Sequence, residues 1–375
     1  MKRTVVLLLL IVLCLVFVSC SNQEYKTLNT FDYFSTVITL NASVTKESDI
    51  NASWEDMKVS LSAMETYLSV YVENSDIDKF NKAEPGAIVE ISKLTYDVLS
   101  LAITAYTNTN GLYNPALYLL SDLWGFTDRF TSSQYAPTKP YDRQNPKEQL
   151  PEDRYVEAFL TLTDFSKVHV YALEDKYYAY KPTSSIEIDG QTYTMQLDLG
   201  GIVKGYAAAV LKLSAGNYGI EYGYISLGSS SLALLKRDTK GRSWELKLKD
   251  PCDPDSYYLS TLKKSIYVST SGNYEQYYEI DGKRYCHIIN PTTGRPIENG
   301  MLSCTLVVSS VTNDLRNSSL IDAYSTALMT MSIDDAREFV RETGFTAYIA
   351  VKDGEKNKVY TNDEQVSVLA NYERI

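Results

Sequence analysis

Four short segments of this chain carry polar groups where packing of a core would not ask for them. In Asp198-Leu199-Gly200-Gly201-Ile202-Val203-Lys204-Gly205-Tyr206 an aspartate closes a strand pattern, two glycines expose backbone, and a lysine falls in the first turn of an expected helix. Exposed N–H groups at a helix N-terminus suit a phosphate. A lysine there opposes the helix dipole and calls for a compensating anion. An ordinary strand–turn–helix corner would use the same residues. In Val268-Ser269-Thr270-Ser271-Gly272-Asn273-Tyr274-Glu275 three hydroxyls precede a glycine, able to donate to phosphate oxygens or simply to make a turn. His287 precedes the Pro/Gly-rich stretch Asn290-Pro291-Thr292-Thr293-Gly294-Arg295-Pro296-Ile297. It is a candidate proton acceptor near pH 7, or a satisfied structural histidine. In Asp322-Ala323-Tyr324-Ser325-Thr326 the i and i+4 residues share a helix face. A carboxylate and a hydroxyl there make the hard, oxygen-only pair that suits Mg²⁺, which fills its other positions with water or substrate phosphate. A capping aspartate, with Thr326 bonded back to the carbonyl four residues earlier, is the simpler use.

Composition removes several chemistries. The chain has 375 residues and only two histidines, so a zinc centre with three histidine ligands is impossible. A net charge of −11 leaves no basic face for a nucleic-acid backbone. There is no GxGxxG, no GxSxG elbow and no Gly-Lys-Ser/Thr order in the 200–205 glycine run, so dinucleotide-fold, hydrolase-elbow and P-loop readings lack support.

The scaffold that must hold these groups reads as mixed. Apolar residues at helical spacing (Trp54, Met57, Leu61, Met64, Leu68) predict a helix over 50–71, and others over 94–107, 202–215, 318–331 and 333–343. Strands are predicted at 36–44, 168–180, 186–197, 224–236, 244–249 and 266–271, with a hairpin from 347 to 360. Residues 127–154 read as a surface loop. With no regular βαβ rhythm, no repeat and no linker, the fold class is α+β, one large domain over 31–375.

The first residues read as a targeting segment. Lys2 and Arg3 precede an apolar run from Val5 to Val18, shorter than the ~20 residues a bilayer span needs. Phe17-Val18-Ser19-Cys20 resembles the lipobox of bacterial lipoproteins, with Phe for the usual Leu. The expectation is a signal peptide over 1–19, a lipid on Cys20 and a polar tether over 20–30. That would anchor the protein, uncrossed, on a cell membrane or outer membrane, on its periplasmic or external face. Cys252, Cys286 and Cys304 then remain, without CxxC spacing: at most one disulfide, or buried small hydrophobes.

Taken together, six motifs in order resemble the ApbE family of FAD:protein FMN transferases. They are Leu68-Ser69-Val70-Tyr71 with Ser75 to Asn81, Gly111-Leu112-Tyr113-Asn114-Pro115 with Leu123-Trp124-Gly125-Phe126, and the four segments above. The chain departs from the family pattern at Phe34-Ser35-Thr36 (commonly Met-Gly-Thr), at Tyr113-Asn114 (Phe-Asp), at Asn290 (Asp) and at Ser229 (Gly). The resemblance implies a T-fold-like domain and a Mg²⁺-dependent transfer of FMN from FAD to a Thr or Ser hydroxyl of a redox-type flavoprotein, releasing AMP. It implies metal ligation by the Gly201 carbonyl, Asp322 and Thr326, with Ser325 adjoining. A flavin-nucleotide site of Phe34, Tyr71, Leu112, Tyr113, Asn114, Asp198, Lys204 and Ile297 is also implied, as is His287 as acceptor-proton base or phosphate donor. Asp322, kept for an exchangeable metal, would contribute little to packing. Two other functions are compatible with the same residues: an FAD pyrophosphatase giving FMN and AMP, and a non-catalytic FAD-binding lipoprotein.

Overall fold

Strand residues alternate between two faces, so a sheet buried on both sides must find an apolar partner for each. The computed structural model describes residues 25–43, 47–127, 150–228, 230–310, 315–354, 356–369 and 371–375. Its main sheet has nine strands: β1 (Lys26–Thr30), β2 (Ile38–Ser43), β3 (Tyr222–Leu227), β4 (Ser231–Leu234), β5 (Ile266–Gly272), β6 (Met301–Ser309), β7 (Thr346–Asp353), β8 (Lys356–Thr361) and β9 (Tyr372–Arg374). They lie side by side in chain order, antiparallel throughout except for the β8–β9 pair. Tyr267, Cys304, Leu306, Ala347 and Ile349 point to a helical layer, whereas Ile266, Val268, Tyr348 and Ala350 point to the opposite side. There the strands Trp244–Asp250, Asp253–Lys263 and Val366–Val368 form a small sheet whose Leu246, Leu248, Tyr258 and Leu259 cover them.

The helical layer comprises α1 (Glu47–Leu68), α2 (Asp76–Lys82), α3 (Lys93–Asn108), α4 (Tyr118–Leu123), α5 (Asp153–Leu160), α6 (Gly200–Asn217), α7 (Leu315–Leu328) and α8 (Ile333–Thr343). The helix α6 is apolar nearly all round, because α7 and the sheet enclose it. A third apolar cluster joins α4 and α5 to the hairpin Tyr277–Ile280/Lys283–Cys286 through Trp124, Phe159, Tyr193 and Tyr285.

The α+β class and the expected helices hold, with shifted ends. Several strands differ. The stretches 168–180 and 186–197 are not single strands but hairpins, turned at Glu174-Asp175 and Asp189-Gly190, where left-handed φ angles permit the reversal. Residues 224–236 also split, at Gly228. Lys26–Thr30, expected in a tether, pairs with β2 as the sheet's edge. Strands β6 and Asp253–Lys263 were not legible, the first because it is buried almost throughout, the second because its polar residues mask its alternation. Asp153 and Arg154, assigned to the surface loop, open α5. Residues 128–149 of that loop, the signal segment, Cys20 and Ser229 lie outside the described residues. Among the described residues the cysteines Cys252, Cys286 and Cys304 are free, the last two buried, and no helix is long and apolar enough to cross a membrane.

Candidate active site

The crossing of α6 and α7 sets the geometry. Gly205 lacks a side chain at the contact point: a Cβ there would lie 2.5 Å from the Ser318 carbonyl oxygen and 2.6 Å from Asp322 Cβ. Backbones can therefore approach closely. The Gly205 N–H donates to Asp322 Oδ2 (2.9 Å) and Ser318 Oγ donates to the Gly205 carbonyl (2.8 Å). Inside a helix an N–H ordinarily serves the carbonyl four residues back, here that of Gly201. A carbonyl has two lone pairs, so the Gly201 carbonyl keeps acceptor capacity beside any helical bond it receives.

Asp322 sits in the middle of α7, not at its cap, and is buried. Its Oδ1 accepts from Ser269 Oγ (2.6 Å) and, at longer range, Ser231 Oγ (3.5 Å). Burial pushes its carboxyl upward, opposed by the Lys204 charge and these donors. Among the described residues no cation forms an ion pair with it. One turn on, Thr326 Oγ1 lies 3.4 Å from the Asp322 carbonyl and 3.0 Å from Ser271 Oγ. It is also 3.9 Å from where a Cβ on Gly201 would stand, so Gly201 and Thr326 adjoin. Ser325 is fully buried, bonded to the Asp322 carbonyl (2.9 Å) and to Ser271 Oγ (2.8 Å), and supports the turn from behind. Within the expected hydroxyl cluster, Ser269 and Ser271 tie β5 to α7 and aim the Asp322/Thr326 pair. The expectation that Asp322 contributes little to packing is corrected, because its removal would orphan buried donors.

The donor set is one carboxylate, hydroxyls and a carbonyl. Among the described residues no three His, Cys, Asp or Glu side chains cluster. Such an oxygen-only, singly charged set suits Mg²⁺ sharing its shell with substrate oxygens, not zinc or a redox metal.

Asp198 enters the site from a clamped segment that follows the Gln191–Thr194 strand. Asn81 bonds the Leu197 backbone through both its amide atoms (2.9 and 2.7 Å), and buried Lys181 holds the Asn81 carbonyl (2.7 Å). The N-cap Leu199 has no capping side chain, so Asp198 Oδ1 takes the Gly200 N–H (2.8 Å). Because α6 begins at Gly200, Lys204 falls in its second turn, half-buried and facing the cavity. Its charge acts on Asp322, Glu275 and His287.

His287 closes the other wall. Its N–H and Nδ1 both lie near the Gln276 carbonyl (3.0 and 3.3 Å). A carbonyl only accepts, so Nδ1 carries the proton and Nε2 keeps its lone pair. Burial, reinforced by Lys204, lowers its pKa to about 4, so the ring is neutral at neutral pH.

These groups face one cavity of about 500 Å³. Phe34, Tyr71, Leu112, Tyr113, Asn114 and Asp198 line it. So do Gly201, Lys204, His287, Asp322 and Thr326. Tyr71 is at the exposed rim. Ile297 is not a lining residue; its N–H bonds the carbonyl of Ile288, which is. The Asn114 side chain serves the fold: Oδ1 accepts from Ala116 N–H (2.9 Å) and Nδ2 donates to the Thr163 carbonyl (2.8 Å). Phe34 and Ser35 hold left-handed φ angles of 55° and 49°, and Glu65 accepts the Phe34 N–H (3.1 Å). Glu275, Gln276 and Phe126 also line the cavity. Glu275 and Phe126 stand at the ends of two of the motifs, but nothing in the sequence joins the hairpin 277–286 to α6.

The family model for the ApbE family matches residues 34–349. The chain belongs to the ApbE family. It is 26% identical over 318 residues to the FAD:protein FMN transferase of Escherichia coli (strain K12), an alignment covering 84% of this chain and 81% of that one. The solved flavin transferase ApbE of Vibrio cholerae superposes with a TM-score of 0.70 at 22% identity, covering 90% of this chain and 97% of the other. The ApbE protein of Thermotoga maritima superposes with a TM-score of 0.68 at 26% identity, over 88% and 94%. The ApbE match spans every segment that builds the cavity.

Proposed function

We propose that this chain is an FAD:protein FMN transferase, moving FMN from FAD to a Thr or Ser hydroxyl of an acceptor flavoprotein. The observation that carries this reading is the convergence on one cavity of an oxygen-only cation pair, a lysine, a helix N-terminus and a neutral histidine. Curated relatives bearing the transferase name support it. Gly201, Asp322 and Thr326 would hold Mg²⁺, which would neutralise the pyrophosphate and the charge growing on the departing AMP. Lys204 and the N–H groups opening α6 would hold the phosphates. His287 Nε2 would take the proton of the acceptor hydroxyl as its oxygen bonds to the FMN phosphorus and the bond from that phosphorus to the AMP oxygen breaks. The acceptor would be an externally exposed redox subunit. Lipidation at Cys20 and an extracytoplasmic position remain part of the proposal, resting on residues 1–20 of the sequence.

The test is incubation with FAD and Mg²⁺, with and without an acceptor domain bearing a free Thr or Ser. Covalent flavin on the acceptor with AMP released in equal amount is the expected result. FMN and AMP free in solution regardless of acceptor would make the chain a pyrophosphatase, and unaltered FAD would make it a binding protein.

A further inference from the structure

The two ends of the main sheet differ. At one end the loop between β1 and β2 brings Phe34 and Ser35 to the cavity, and Ser230, between β3 and β4, lines it too. The other end lies a strand length away, about 15–20 Å for the five and six residues of β1 and β2. There β1 begins, beside the loop 236–242 that follows β4. The Tyr25 hydroxyl donates to the Arg237 carbonyl, and Tyr222 pairs with Lys236 in a β-bridge.

This loop holds Lys236, Arg237, Lys240 and Arg242 against one carboxylate, Asp238, in a chain of net charge −11. Asp238 is buried and spent inside the turn. Its Oδ1 accepts from the Lys240 and Arg242 N–H groups (2.9 and 3.2 Å), and its Oδ2 from Arg242 Nε (2.5 Å). Lys236, Lys240 and Arg242 are exposed. Glu221 pairs with Lys236 (2.6 Å), but both side chains are more than half exposed, so water screens that pair. Lys26 adds a further cation on β1 itself.

Tyr25 stands five residues after Cys20, so a lipid on that cysteine lies within about 18 Å of this end of the sheet. We propose that residues 236–242 rest on the anionic headgroups of the membrane that holds the lipid, standing the sheet on end with the cavity turned away from the bilayer. This rests on the lipidation proposed at Cys20. The lipid would supply attachment, and the loop orientation. Each basic side chain near an anionic leaflet raises the contact population about fivefold. The rest of the surface, which carries the negative balance, is repelled by the same headgroups. An acceptor protein then reaches the cavity from the aqueous side.

The experiment inserts the lipidated protein, purified from membranes, into preformed vesicles of phosphatidylcholine, alone or mixed with phosphatidylglycerol. A membrane-impermeant sulfonated ester then acetylates exposed lysines, and mass spectrometry reads each one. Lys236 and Lys240 should react at least about tenfold more slowly on the anionic vesicles, and high salt should abolish the difference. Lys283, in the hairpin that leads to His287, should react alike on both. Lys240→Gln should melt as the parent does, being an exposed change, and should raise Lys236 reactivity on anionic vesicles about fivefold. Equal reactivity of Lys236 and Lys240 on the two vesicles would overturn the proposal while leaving the lipid anchor intact. So would protection that persists at high salt, or Lys283 protected in their place. A purified protein whose mass shows no acyl chain would remove the lipid anchor itself, and this orientation with it.

Discussion

Gly205→Ala tests whether the α6–α7 contact sets the site. The added methyl would meet the Ser318 carbonyl oxygen at 2.5 Å, Asp322 Cβ at 2.6 Å and Ser319 Cα at 3.2 Å, all atoms on or next to a helix backbone that cannot swing aside. The helices must separate by roughly 1 Å to restore ordinary contact. Overpacking of this kind costs about 1–3 kcal/mol. Stretching the Gly205 N–H to Asp322 bond, a bond to a charged group, adds about 1.5–3 kcal/mol, while alanine's better helix propensity returns about 1 kcal/mol. The net is a destabilisation of about 1.5–5 kcal/mol, or roughly 2–7 °C in the melt of a chain this size. Activity should fall further than stability implies, because Asp322 is displaced relative to Gly201 and Thr326. At a temperature where the variant is folded, FMN transfer should drop at least ~100-fold and the Mg²⁺ concentration for half-activity should rise. Gly216→Ala is the control. It lies in the same helix with open space around the missing Cβ, and should stabilise by up to about 1 kcal/mol with parental activity. A Gly205→Ala protein with parental melting, rate and Mg²⁺ dependence would refute the account of the helix crossing and, with it, of how Asp322 is placed.

Other consequences follow from the same geometry. Asp322→Asn should abolish transfer and any FAD hydrolysis together, and unlike Asp322→Ala it should still melt cooperatively, because it can accept from Ser269; retained rate and Mg²⁺ dependence would exclude a metal-holding role. Lys204→Ala should weaken FAD binding about ten- to a hundredfold and, by removing a repulsive charge, raise the His287 pKa; unchanged FAD titrations and an unmoved histidine NMR titration would place Lys204 outside the phosphate site. His287 has a folded pKa of about 4 against an ordinary 6.5, so the unfolded chain binds its proton first. Its contribution to stability should be complete above pH 6.5 and lost as pH falls towards 4, by about 1–3 kcal/mol. His287→Asn should remove that component of the pH–stability curve, retain FAD binding and lose ~10²–10⁴-fold in transfer; near-parental transfer at neutral pH would remove the base. Ser35→Gly should stabilise by about 1 kcal/mol, since Ser35 holds φ 49°; a destabilised variant would mean the hydroxyl outweighs the strain.

Residue spacing along the chain was enough to find Asp322 and Thr326 on one helix face, because i and i+4 are neighbours in any α-helix. It was enough for the glycine pair ahead of Lys204, for His287 ahead of its loop and for the helices, whose apolar stripes are local properties. The ordered run of motifs named the family. It could not assign Ser269 and Ser271, since a hydroxyl's partner is chosen by the strand and helix that the fold lays beside it. It could not show that Ile297 stands behind the cavity-lining Ile288, bonded to its carbonyl, because a β-bridge partner and a lining residue look alike in a motif. It read Lys26–Thr30 as a tether, since an edge strand with one polar face needs its neighbour β2 to reveal it. Nor could it see that the Tyr113 hydroxyl has no partner among the described residues, that the Asn114 amide is spent on backbone, or that burial with Lys204 holds His287 neutral. These depend on distances between segments up to two hundred residues apart, which only the packed chain sets.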